Sequence, residues 1–368
     1  MTEAIRVPAG ARWSCSNCAQ CCAGHDIGPV EPEVITRLEE AGISQLWEPA
    51  AEQPWYAERP GPTGPQAFLT MPGGRCIFLR DDDLCAIHAT LGESFKPGTC
   101  RVFPFLLTED AGGISMIARS ACGGLHHTFE TGADLATYAD DVLAIEGGRP
   151  RRRVPTDAVA LVGGARVDAP RWAQWSQELE QHLHSRPGGP EVLIGAARSW
   201  LFGRLDAAPP EPSAHRARMA SGATLEALIR TMARVAQQST AGVAADRVAF
   251  VEDMTGRLSR AQKRLGTPAP LDPTAERYLN LLLRSQIVSN QLATFGDVAS
   301  GLGAFVLGTQ IARTTATDTD PDAPLDAAAV ASVLTPWVRF AAIPGVHRIL
   351  TLARPALVDV FLHLPEDP

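Results

Sequence analysis

Apolar positions recur at helical spacing through most of the second half of this chain, and proline-bearing breaks divide them into separate runs. The pattern predicts helices over residues 172–185, 191–205, 214–238, 244–265, 273–293, 298–314, 326–340 and 346–362, with loops at 207–212, 267–270 and 315–324. The first half reads differently. Residues 1–30 show no period. A short helix is predicted over 31–40, where Pro32 stands near the start, Glu31 and Glu33 are acidic, Val34, Ile35 and Leu38 are apolar, and Gly42 follows as a stop. Residues 49–75 are rich in Pro and Gly and read as a long loop. Runs 67–71 and 76–79 suit the strands of a small hairpin, 114–118 a third strand, and 133–145 a closing helix. The expected fold is mainly α: an irregular cysteine-rich module with a few short strands over residues 1–148, then an all-α helical domain over 149–368.

Within the helical half, Trp172, Trp175, Trp200 and Trp337 read as core. Gly301, Gly303 and Gly308 share one helix and are expected to let another backbone approach, rather than to bind a ligand. Asp318, Asp320, Asp322 and Asp326 superficially resemble a calcium loop, but Ala323 stands where the turn needs glycine and Pro321 and Pro324 intrude. A solvated loop with Asp326 as a helix cap is the expectation.

Charge narrows the partners. Residues 1–148 carry 9 Arg+Lys against 20 Asp+Glu, whereas 149–368 carry 24 against 21, which together give the whole-chain net of −8. An acidic cysteine region argues against a nucleic-acid reader, which needs basic residues to meet phosphates. The basic cluster at 149–153 reads as a solvated linker. The first residues lack a basic stretch followed by an apolar run, so no secretory signal is expected. The longest apolar stretch, 298–312, falls short of the roughly 20 residues that cross a bilayer. The expectation is a cytoplasmic protein with neither a membrane nor a nucleic-acid partner, in which thiols serve metals or catalysis rather than disulfides.

Those thiols are unevenly placed. All eight cysteines fall in the first third of the chain: Cys15, Cys18, Cys21 and Cys22, then Cys76, Cys85, Cys100 and Cys122. Core cysteines scatter, and a set this dense points to metal ligation. A Cys-x-x-Cys turn sets two sulfurs on one side of a tight loop, each able to reach an ion at about 2.3 Å. Cys15, Cys18 and Cys21 suit three corners of an iron–sulfur cubane. Cys22 is expected to project away from Cys21, as neighbouring side chains tend to, leaving one of the pair spare or bridging two sites. Cys76 and Cys85 flank an expected hairpin over residues 77–84 that would bring them close together. His25 and His88 read as surface or supporting residues, and His126 and His127 lack the spacing of a Cys₂His₂ site. Arg101 either offsets the charge of nearby thiolates or lies on the surface. Phe103, Pro104 and Phe105 are expected to pack their loop on the core.

The run Cys15-x-x-Cys18-x-x-Cys21-Cys22, the segments around Cys76, Cys85 and His88, the stretch from Lys96 through Cys100 to Pro104, and Cys122-Gly123 occur together in an order that resembles the YkgJ-type cysteine-cluster family. The resemblance covers residues 13–126 and implies a zinc- or iron-chelating domain. Two positions depart from it: Lys96 stands where arginine is usual and Ala121 where proline is usual. More distantly the chain resembles flagellin lysine-N-methylases, which would imply an iron–sulfur cluster acting with S-adenosylmethionine on a protein substrate. No glycine-rich strand–turn–helix of Rossmann type occurs.

Zinc prefers a tetrahedron built from two knuckles, while three close cysteines and a distant fourth suit a cubane. The spacing therefore favours an iron–sulfur cluster of the 4Fe–4S type, with zinc as the alternative. No G-x-S-x-G, H-E-x-x-H or phosphate loop is present. The leading expectation is a metal-binding protein whose helical half is a scaffold or a surface for a protein partner. The alternatives are a cluster-dependent methylase and a metal store or chaperone, and whether the chain is an enzyme stays open.

Overall fold

The computed structural model describes residues 5–366 except 24–26, 62–63, 147–151, 155–156, 239–244, 266–267 and 317–322. The fold is mainly α, with short strands gathered before residue 169. Helices run Ala169–His184, Pro190–Arg204, Ala214–Gln238, Ala245–Arg264, Pro273–Val288, Val298–Thr315, Ala327–Ala341, Pro344–Leu352 and Arg354–His363. Aspartates begin four of them. Asp168, Asp272, Asp297 and Asp326 each accept first-turn amide N–H groups that have no partner inside the helix. The expected cap at Asp326 is thus present, while Asp318, Asp320 and Asp322 lie outside the described residues.

Val298–Thr315 is the central helix, buried along its whole length. Its glycines act as expected. A Cβ on Gly301 or Gly303 would stand 2.3 and 1.9 Å from the carbonyl oxygens of Leu292 and Leu357, and one on Gly308 would stand 2.6 Å from the Trp337 indole. Backbone approaches closely at Gly301 and Gly303, while at Gly308 the space is taken by the Trp337 ring.

Two predicted helices end early. Residues 273–293 stop at Val288, because Asn290 is left-handed and Gly296, after a short 3₁₀ turn, is also at positive φ. Residues 346–362 form two helices broken at Ala353. Pro355 has no N–H for the ladder and its ring crowds the carbonyl four residues back, so a new helix starts around it. The 149–168 segment also departs from the all-α expectation. Ala158–Ala160 pairs antiparallel with Arg166–Asp168 across the left-handed pair Gly163 and Gly164, and Arg152–Arg153 adds a parallel strand to Phe105–Asp110.

In the cysteine region, the helix Pro32–Glu40 forms as predicted. The hairpin does not: Gly64–Leu69 pairs with Tyr56–Gly61, inside the expected loop, and residues 76–79 form a turn. Pro60, Gly61 and Pro65 lie at the tip of that hairpin, where proline and glycine are tolerated, and so disguised it. Gly113–Ala118 is a strand as expected, paired with Phe105–Asp110. Residues 133–145 begin as a two-residue strand and a 3₁₀ turn before the helix Ala139–Glu146.

Among the described residues two apolar cores result. The smaller gathers Ile27, Leu38, Trp55, Leu69, Phe78 and Ile87 with Cys76. The larger joins Trp13, Phe105, Met116 and Cys122 to Trp172, Tyr278, Phe305 and Trp337, so it draws on both halves of the chain. A buried ion pair adds to that union: Arg284 Nη1 meets Glu180 Oε1 at 2.6 Å and Ala9 O at 2.8 Å, while the Ala9 N–H donates to Glu180. No single described helix is long and apolar enough to cross a membrane.

Candidate metal centre

The first cysteine loop hangs from the short strand Arg12–Trp13, which pairs with Ala133–Asp134. Trp13 anchors it, edge-on to Phe105 and Tyr138 at ring separations of 5.1 and 5.4 Å. Asn17 and Ala19 are both left-handed, which coils the chain tightly, and Gln20–Cys22 makes a 3₁₀ turn closed by the Cys22 N–H on Ala19 O. The loop then meets a distant segment: the Cys76 N–H donates to Cys22 O at 2.7 Å, and Ala23 bridges to Arg75.

That turn overrides the expectation for Cys21 and Cys22. Their sulfurs stand 3.8 Å apart instead of diverging, within the tight loop that the left-handed Asn17 and Ala19 and the 3₁₀ turn form. Their S–H···S contact pulls Cys21 down to about 6 and drives the Cys22 thiol upward, concentrating thiolate character on Cys21.

Other loops bring further sulfurs. Cys76 and Cys85 flank a turn joined by the Leu79–Cys85 bridge, as the spacing predicts, and Cys85 opens the helix Ala86–Leu91. Cys100 lies in the short helix Gly98–Val102, whose Gly98 N–H is held by the Glu31 carboxylate. Cys22 feels the charge of Cys21, Cys76 and Cys100, Cys76 that of Cys85 and Cys21, and Cys100 that of Cys76, Cys85 and Cys21, which links the five sulfurs electrostatically. Burial is the main influence on two of them, pushing Cys76 up to about 12 and raising Cys100 as well. Lys96 opposes this at Cys100 and favours the Cys21 thiolate.

Cys122 lies to one side. Its thiol is raised by burial and feels Cys18 and Cys21. Cys18 packs on the same loop, its sulfur 3.2 Å from where a Cβ on Gly124 would be. Cys15 is exposed and directs its thiol to Asn17 Oδ1 at 3.5 Å. None of the eight cysteines is in a disulfide.

Among the described residues, no three cysteine, histidine or carboxylate groups are drawn in closely enough to enclose an ion. The donor chemistry nevertheless suits one, since thiolates are the soft ligands of zinc and of iron–sulfur centres. Unpartnered donors point the same way. Trp13 Nε1, Ser16 Oγ and Tyr278 Oη are buried without a hydrogen-bond partner. The Trp13 indole faces Cys122 and favours its thiolate, Tyr278 lies within the field of Cys122, and Ser16 packs beside Cys18 at Gly124. Thiolate sulfur would accept from such groups.

His88 is exposed, as expected of a surface residue, and His25 lies outside the described residues. His126 and His127 stack at 3.8 Å, and burial lowers the pKa of His126. Arg101 is half-buried with its Nε unpartnered. Arg339, Tyr278 and Trp13 had no signal in the sequence, because nothing in the spacing of a helical segment announces a cysteine loop far upstream.

Fold and site together define a cysteine cluster set into a helical protein. Residues 14–123 match the model of the CxxCxxCC family, described as "Putative zinc- or iron-chelating domain". No curated protein and no solved structure matches the chain.

Proposed function

We propose that the chain chelates a metal through thiolates of the group Cys21, Cys22, Cys76, Cys85 and Cys100, with Cys18 and Cys122 beside it. The observation that carries this reading is the 3.8 Å separation of the Cys21 and Cys22 sulfurs. Four sulfurs at about 2.3 Å from a tetrahedral ion stand about 3.8 Å from one another, so the adjacent pair has the reach to share one ion. A cubane distributes its cysteines over different irons and holds them farther apart. The pair therefore favours a single zinc or iron ion, whereas the Cys-x-x-Cys-x-x-Cys spacing favours a cluster. Free thiols in this number suit a reducing, cytoplasmic setting, and the helical half serves as the scaffold that holds the loops.

Anaerobic purification with metal analysis, acid-labile sulfide assay and an absorption spectrum tests the reading. Colourless protein with one zinc per chain and no sulfide supports the single ion. Brown protein with sulfide supports the cluster, and protein that takes up neither metal defeats the proposal.

A further inference from the structure

Arg339 lies near the end of the helix Ala327–Ala341, far beyond the matched residues 14–123, and is directed into the cysteine loops. Its Nη2 donates to Ala121 O at 2.9 Å and to Gln20 O at 3.2 Å, its Nε to Ala121 O at 3.3 Å, and its Nη1 to Ala23 O at 3.4 Å. One guanidinium thus holds the residue before Cys122, the residue before Cys21 and the residue after Cys22. One turn earlier on the same helix face, Thr335 Oγ1 donates to Ser120 O at 3.1 Å. Among the described residues Arg339 forms no ion pair with a carboxylate, and its charge acts on Cys122, Cys21 and Cys18.

Arg339 is half-buried, and a cation partly withdrawn from water with no anion beside it loses solvation that nothing replaces. Four thiolates around a divalent ion carry a net charge of about −2, so a loaded centre supplies the missing counter-charge. We infer that Arg339 is a positioning residue of the metal centre: it sets the Cys21–Cys22 loop against the Cys122 loop and offsets their thiolate charge, which couples metal occupancy to the helical half. The inference rests on the chelation proposed above. Lysine cannot replace the fork, since one ammonium cannot span three carbonyls in fixed geometry.

The test is zinc titration of the metal-free full-length chain against a chromophoric chelator, with hydrogen exchange recorded before and after loading. In the wild-type protein, zinc should slow exchange at 327–341 as well as at 15–22 and 120–122, because coupling is reciprocal. Arg339→Gln should weaken zinc binding roughly 10- to 100-fold, the usual cost of losing a group that orients metal ligands. Arg339→Lys, which keeps the charge but not the fork, should recover only part of that loss. Zinc protection confined to 14–123 in the wild type overturns the inference even if no Arg339 variant folds. So does zinc affinity within twofold of wild type in Arg339→Gln. Wild-type protein that binds no zinc, and no iron when reconstituted anaerobically, defeats the chelation reading itself.

Discussion

The Cys76 amide donates to the Cys22 carbonyl across 2.7 Å, which makes the first cysteine loop and the Cys76–Cys85 turn one structural unit. Cys76 is also part of the smaller apolar core, so its sulfur is held by packing as well as by the backbone. The site is therefore assembled from segments that hold each other in place.

Single replacements should divide according to that assembly. Cys76→Ser and Cys100→Ser are expected to lose bound metal and to lower Tm, since each also buries a hydroxyl where a thiol packed. Cys21→Ser and Cys22→Ser should lose metal alike, because their sulfurs lie 3.8 Å apart, within reach of one ion. Cys15→Ser, at the exposed rim, should retain most of it. Metal analysis after gel filtration checks all five; full retention by Cys22→Ser would restore Cys22 as a spare.

Alkaline pH should weaken the metal-free protein. Burial raises Cys76 from 9.0 to about 12 and raises Cys100 and Cys122 in the same direction. A folded-state pKa above the unfolded one favours the folded chain below about pH 9, and that contribution is lost as pH rises from 9 toward 12. Metal loading must strip these thiols of protons, so apparent affinity should climb with pH across the neutral range. Melting curves of metal-free protein and calorimetry in buffers of different ionisation enthalpy measure the two effects. A Tm unchanged up to pH 11 would contradict the first.

Gly303→Ala should destabilise the fold by about 3 kcal/mol, near the upper end for overpacking, because its Cβ would fall 1.9 Å from Leu357 O. Gly203→Ala is the control. Nothing lies within 4 Å of its Cβ position, and alanine in a helix should add up to about 1 kcal/mol. Urea denaturation of both variants would show opposite shifts.

Arg284→Met should cost about 3–5 kcal/mol by leaving the Glu180 carboxylate buried and unpaired. The pair is 2.6 Å apart and almost wholly enclosed. Adding Glu180→Leu should recover much of the loss, though not the two hydrogen bonds that hold Ala9. A double-mutant cycle by chemical denaturation reads the coupling, and additive effects would show that the pair is not coupled.

Local chemistry made much of this protein legible from its residues. Period and proline breaks located most helices, and Asp326 was legible as a cap, because these signals act over a few neighbouring positions. The density of Cys15 to Cys122 announced metal chemistry, because thiols in that number have few other uses. Packing settled the rest. Tyr56–Gly61 reads as a loop until Gly64–Leu69 pairs with it, and Cys21 and Cys22 diverge until two left-handed residues coil the chain beneath them. Arg339 is an ordinary helix residue until folding brings Ala121, Gln20 and Ala23 within reach of its three nitrogens. The Arg339 contacts span 218 to 319 residues of chain, and no local pattern encodes which loop a distant side chain will meet.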